Sequence, residues 1–260
     1  MYRYRITLSY NGTRFGGWQI QPNSTSIQQC LQEQLSLLLR QEIEVTGAGR
    51  TDAGVHARFM AAHFDCKQEI PDTVLIVKKL NSMLSKDIAV KDMARVSPEF
   101  HARFSALSRT YEYNVTSVKN PFAYEWVHYM SLSGMDFQRM NEACNILYEY
   151  EDFTSFSKLH TDVKTNNCKI YSAVWKREGD IWVFRIKADR FLRNMVRAIV
   201  GTLFDVGRGK ITIEDFRNII EAKDRCRASS SAAARGLSLV AIEYPEDIFP
   251  GGGEDETCSF

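Results

Sequence analysis

At 260 residues, with 44% hydrophobic and 25% charged side chains, the chain has the composition of a globular protein large enough for one big domain or two small cores. Apolar runs such as AIVGTLF are too short to cross a bilayer, and MYRYRITLSY alternates where a secretory leader needs an unbroken apolar core. The net charge of +1 hides an asymmetry: five acids and no base follow Pro245, leaving 33 bases against 27 acids before it, a body basic enough to meet a polyanion.

Tyr2, Tyr4, Ile6, Leu8 and Tyr10 alternate with Arg3, Arg5, Thr7 and Ser9, which predicts a strand with one wet face, stopped by the turn pair Asn11–Gly12. The glycine-rich loop GTRFGGWQIQP follows. Ser26 is placed to cap a helix that carries Ile27, Leu31, Leu35, Leu38 and Leu39 on one side. EIEVTG leads into GAGRTDAGVHA (47–57), and FMAAHFD reads as the strand leaving it. Pro71 starts a second helix bearing Val74, Val77, Leu80 and Leu84, and IAVKDMARV is a further strand.

The second half repeats the theme. RTYEYNVTS puts Tyr111, Tyr113 and Val115 on one strand face, and a helix from Asp136 to Tyr148 gathers Phe137, Met140, Cys144 and Leu147. A hairpin turns at Gly179–Asp180; helices are predicted over Phe191 to Val206 and Ile213 to Ala222, and GLSLVAIEY is the last strand. This order predicts an α+β fold: two similar halves, mainly antiparallel β-sheet with helices packed on one face. The expected organisation is a first half over residues 1–104, a second over 105–245, and an acidic, disordered tail over 246–260.

The six cysteines (Cys30, Cys66, Cys144, Cys168, Cys226, Cys258) form no CxxC pair, as expected of reduced, mostly buried thiols in a cytoplasmic protein. No Cys or His pair has zinc-ligand spacing, and His160–Asp162 reads as loop polarity, so no metal is expected.

Four features can carry chemistry. Gly47, Gly49 and Gly54 fit neither the GxxxxGK[ST] phosphate loop nor the GxGxxG dinucleotide turn. Thr51–Asp52–Ala53–Gly54 is acceptable turn chemistry, but a turn alone does not explain why Arg50 neighbours Asp52 among small residues. Small neighbours let something bulky approach a carboxylate, and a guanidinium beside it favours the ionised form that a nucleophile or base requires. Arg109 and Tyr111 share a strand face, where a phenol ring packs in a core or stacks on a planar ligand. Arg190, Arg193 and Arg197 follow an i, i+3, i+7 spacing with no acid up to Thr202; on a helix they would form a basic ridge for RNA phosphate or a carboxylate partner. Finally Arg14, Phe15 and Trp18 sit on a glycine-rich backbone, where they either stack on unpaired bases or plug a gap between elements.

Taken together, LSYNGTRFGGWQIQP, GAGRTDAGVHA, FHARFSALSRTYEY, YEDFTSFSK, FLRNMVRAIVGTL and ARGLSLVAIEYP resemble, in the same order and nearly to Pro245, the tRNA pseudouridine synthases of the TruA family. The resemblance implies the pseudouridine synthase fold and a cofactor-free isomerase. Its substrates would be uridines at positions 38, 39 and 40 of the tRNA anticodon stem-loop, and the enzyme would be a homodimer with tRNA lying across both subunits. It further implies that Asp52 is the catalytic aspartate, and that Arg50 helps displace the target nucleotide and fills its place, since the reacting bonds are inaccessible inside a stack. Tyr111 would stack on the uracil and take part in removing the C5 proton. Arg197 would pair with Asp52 and Leu237 would pack beneath the base; Arg190, Arg193, Arg14 and Trp18 are candidate RNA contacts on the reading of the residues alone. The chain departs from the family where SSSAAARGLSL lacks the proline often found shortly before Gly-Leu. The rivals are a pseudouridine synthase with another RNA substrate and a non-catalytic RNA-binding protein on the same scaffold, which would have no need of Asp52.

Overall fold

The computed structural model describes residues 1–158, 165–246 and 248. The His160–Asp162 pair, Cys258 and the tail acids Asp247, Glu254, Asp255 and Glu256 lie outside the described residues. The chain divides into two compact units, Met1–Leu107 with the segment from Leu239, and Ser108–Ser238.

In the first unit, strand β1 (Tyr2–Tyr10) buries Tyr4, Ile6, Leu8 and Tyr10 as its alternation predicts. Helix α1 (Ile27–Leu39) starts at Ser26, whose hydroxyl accepts from Gln29 N at 3.2 Å, and buries Ile27, Leu31 and Leu35. Strand β2 (Thr46–Gly47) is a two-residue partner for β3 (His56–Cys66). Helix α2 (Thr73–Met83) begins later than expected. Pro71 precedes the cap, and the Asp72 carboxylate accepts from Leu75 N at 2.8 Å. Of its apolar residues only Leu80 is buried, and Val74 is 63% exposed. Strand β4 (Ile88–Arg95) completes the set, and β1 lies antiparallel between β3 and β4. Facing Asp65 across the β1–β3 ladder, Arg3 forms a two-pronged pair at 2.8 and 2.7 Å.

In the second unit, β5 (Ser108–Thr116) carries the Tyr111 face and pairs in parallel with the short β6 (His128–Tyr129). Helix α3 (Phe137–Ile146) is capped by Asp136 and buries Phe137, Met140 and Cys144. Strands β7 (Ile170–Glu178) and β8 (Ile181–Ala188) form the expected hairpin, with Gly179 at φ 59 in the turn, and β8 pairs with β5. Helices α4 (Met195–Gly207) and α5 (Ile213–Glu221) follow, α5 opening with a capping box between Thr212 and Asp215. Trp175 stacks on Phe184 at 5.1 Å and lies against Phe204 at 5.8 Å, an aromatic core that neither β7 nor α4 could bury alone.

The last strand, β9 (Leu237–Glu243), runs beside β3 in the sheet order. There Leu107 N donates to Glu243 O at 2.8 Å and Tyr244 Oη donates to Ala102 O at 2.6 Å, which explains why the segment from Leu239 joins the first unit. The fold is thus α+β, a mainly antiparallel sheet with five α-helices among the described residues. Among those residues no helix is long and apolar enough to cross a membrane, and no group of three or more His, Cys, Asp or Glu is arranged to hold a metal ion.

Candidate active site

Asp52 is half-buried in a turn closed by Val55 N donating to Asp52 O at 3.1 Å, with Gly54 at φ 76, a conformation that excludes most side chains. The glycine-rich loop after β1 braces this turn at several points. Trp18 N donates to Thr51 O at 3.1 Å, Gly54 N to Phe15 O at 3.3 Å, and Gly12 N to His56 Nδ1 at 3.1 Å. The last bond requires Nδ1 of His56 to be unprotonated. Gly17, at φ 98, comes so close that a Cβ there would lie 2.4 Å from Thr51 O. On the other side the buried hydroxyls of Tyr10 and Thr51 meet at 2.8 Å.

These contacts divide the roles of the glycines in GAGRTDAGVHA. Gly47 is occupied, because a Cβ there would lie 2.4 Å from the indole of Trp18. Gly54 serves the turn. Around Gly49 the space is open, with no heavy atom within 4 Å of the place a Cβ would take. Gly49, next to the exposed Arg50, is thus an open position of the motif.

Trp18 is 2% exposed and its ring lies 6.2 Å from that of Tyr10. This burial is what the plug reading of the residue expects. The physical reason is the absence of a side chain at Gly47, which leaves a slot the indole fills. Arg14 is held by Asp87 through a two-pronged pair at 2.8 and 2.5 Å and stays half-exposed.

In the second unit Tyr111 is half-buried on β5, and the ring of Phe191 meets it edge-on at 5.2 Å and 90°. Arg109, on the same strand face, donates to Asp189 O at 2.8 Å.

The predicted arginine ridge is corrected. Helix α4 starts at Met195, four residues after Phe191, so Arg190 and Arg193 precede it and only Arg197 stands on it. The cause is Asn194, whose backbone is left-handed at φ 67 and whose side chain donates to Ser231 Oγ at 2.6 Å rather than capping the helix. Met195 N closes a tight turn on Leu192 O at 3.1 Å, which leaves Arg193 exposed and Arg190 half-buried. Nor is α4 a solvated amphipathic helix: Val196, Ile199, Val200, Leu203 and Phe204 are all buried, as in a helix at the centre of a core.

The segment SSSAAARGL wraps closely on α4. Arg197 Nε donates to Ala232 O at 2.8 Å, and Ala232 N donates back to Arg197 O at 2.9 Å. Ser229 N donates to the buried Thr202 hydroxyl at 3.2 Å, and a Cβ on Gly201 would lie 1.9 Å from Ser230 O. Arg225 clasps the segment from the far side, donating to Ala228 O, Ser229 O and Ser231 Oγ at 3.1–3.2 Å. Gly236 passes under Tyr113, where a Cβ would come within 2.7 Å of the ring, and the buried Leu237 follows. Tyr113 shares a 2.6 Å hydrogen bond with His128 Nδ1; burial pushes the phenol pKa up and the imidazole pKa down, so both stay neutral.

Sequence reasoning missed Tyr10, Phe191 and Arg225 as supports of these segments. Tyr10 reads only as part of the buried face of its strand and Phe191 only as an apolar flank, while Arg225, three to six residues from its acceptors, lies in no motif that marks it.

A family model described as tRNA pseudouridine synthase matches residues 6–105 and 147–245. The tRNA pseudouridine synthase A of Parabacteroides distasonis is 60% identical over 251 residues, covering 96% of this chain and 99% of its own length. That of Bacteroides thetaiotaomicron is 58% identical over 252 residues, covering 96% and 93%. A more distant relative from Exiguobacterium sibiricum, of the same name, is 36% identical over 246 residues, covering 95% and 98%. With both matched segments spanning most of each unit, the chain belongs to the tRNA pseudouridine synthase family.

Proposed function

We propose that this chain is a tRNA pseudouridine synthase that isomerises uridine to pseudouridine at positions 38, 39 and 40 of the anticodon stem-loop. The observation that carries the reading is the Asp52 turn: a half-buried residue braced by backbone bonds at Thr51 and Gly54 and by the His56 ring, in a loop that also holds the open position Gly49 and the exposed Arg50. A fixed carboxylate in a loop of small residues suits a reaction in which a bulky flipped nucleotide must reach it.

In this reading Asp52 attacks the ribose or takes a proton from it, and the N1–C1′ bond breaks. The uracil turns, and C5 bonds to C1′ as its proton leaves. Atoms and electrons balance within the nucleotide, so the reaction calls for no cofactor or metal. Tyr111, steadied edge-on by Phe191, stacks on the uracil and assists removal of the C5 proton. Arg50 fills the vacated stack, Arg197 is the counter-cation of the carboxylate, and Leu237 supports the base. Arg190, Arg193 and Arg14 are the proposed phosphate contacts. The enzyme is proposed to act in the cytoplasm as a homodimer.

The test is Asp52→Asn assayed for tritium release from tRNA labelled at uridine C5. The variant is expected to bind tRNA as wild type does and to release no tritium; retained turnover refutes the mechanism. Pseudouridine mapping of tRNA from cells lacking the gene separates this enzyme from a non-catalytic RNA-binding protein and names the modified positions.

A further inference from the structure

We propose that Tyr10 is a positioning residue for Asp52, acting through the hydroxyl of Thr51. The proposal rests on the isomerase reading given above. Tyr10 is the last residue of β1, 4% exposed, and its backbone sits opposite Ala57 just past a register shift between Leu8 and Tyr10. That irregularity brings the end of the strand to the base of the catalytic turn. Its phenol oxygen lies 2.8 Å from Thr51 Oγ1, and both groups are buried.

The bonds from Trp18 N to Thr51 O and from Gly54 N to Phe15 O hold the path of the backbone, and Gly12 N holds the His56 ring. Trp18 N grips Thr51 by its carbonyl. Tyr10 grips it by its side chain. Two contacts on different atoms of one residue fix the orientation of that residue, and Asp52 is the next in the chain. Breaking a buried hydroxyl pair is costly because water does not replace the lost partner there. The Tyr10 ring is itself immobilised by the Trp18 indole at 6.2 Å, which in turn is wedged over Gly47. The bond therefore links the carboxylate's immediate neighbour to a rigid part of the core. It needs no contact between Tyr10 and the substrate.

The experiment is a double-mutant cycle on the full chain with Tyr10→Phe, Thr51→Val and the double variant, together with Thr51→Ser as the conservative control. Three readouts are taken: single-turnover tritium release, the tRNA dissociation constant, and urea stability. Tyr10→Phe and Thr51→Val are each expected to slow the single-turnover rate roughly tenfold at unchanged tRNA affinity, a loss on the order of one buried hydrogen bond. The double variant should be no slower than the slower single, because one bond is lost in all three, and Thr51→Ser should keep the wild-type rate. A purely structural role predicts lowered urea stability with an unchanged rate on folded protein, and that result overturns the proposal. Rate losses that multiply in the double variant overturn the pairing of the two hydroxyls. A wild type that releases no tritium from any tRNA refutes the isomerase reading and this inference with it. An active wild type with an equally fast Tyr10→Phe refutes this inference alone.

Discussion

Replacing Trp18 with alanine separates a core residue from an RNA-stacking one. The indole is 2% exposed, lies over Gly47 and meets the Tyr10 ring at 6.2 Å. A fully buried tryptophan removes about 250 Å² from water, worth roughly 6 kcal/mol at 25 cal/mol per Å². Core truncations of this kind cost about 3–5 kcal/mol once the surroundings relax. Gly47 has no side chain with which to refill the slot, so the upper part of that range is expected, and with it a fall in Tm on the order of 10 °C. The backbone bond from Trp18 N to Thr51 O is independent of the side chain and should persist. The assay is urea unfolding followed by circular dichroism, paired with tRNA binding at a temperature where the variant remains folded. Stability within about 1 kcal/mol of wild type together with a tenfold loss of tRNA affinity would refute the reasoning, because it would put the ring on RNA rather than in the core.

Gly201→Ala should destabilise although alanine is the better helix former by about 1 kcal/mol, because its Cβ would lie 1.9 Å from Ser230 O; a urea midpoint at or above wild type would contradict this. His63 is buried beside His101, at 4.7 Å between rings, and accepts from Ala102 N through Nδ1 at 3.2 Å. Burial, reinforced by His101 and Arg3 and opposed by Asp65, lowers its pKa to about 4, so the unfolded chain binds its proton first as the pH falls. The stability it contributes is complete above pH 6.5 and is lost between about 6.5 and 4. His63→Gln should flatten the slope in that window, and an unchanged slope in urea titrations would assign the effect to His101 or His128, whose pKa values are also lowered. Arg193→Ala should weaken tRNA binding and reduce the slope of log K against log salt by roughly 1; an unaltered slope argues against a phosphate contact there.

What the chain's own residues decided is whatever depends on near neighbours. The strand β1 is legible because Tyr4, Ile6, Leu8 and Tyr10 alternate along it, although Thr7 on the face expected to be wet is buried too. The start of α1 is legible because Ser26 reaches only three residues ahead to cap it. GAGRTDAGVHA marks the Asp52 turn because its chemistry is contained in eleven consecutive positions. Tertiary structure decided what depends on contacts across long stretches of chain. The start of α4 shifted to Met195 because Asn194 adopts a left-handed backbone and bonds Ser231, 37 residues further on, so three arginines at helical spacing do not share a helix. The burial of Trp18 depends on the slot that Gly47 leaves, and the glycines of the motif differ only in their surroundings: Gly47 is filled, Gly54 is bent and Gly49 is open. Periodicity records which face of an element seeks burial. The surface that provides the burial comes from elsewhere in the chain, and it alone decides which polar and aromatic groups remain available for chemistry.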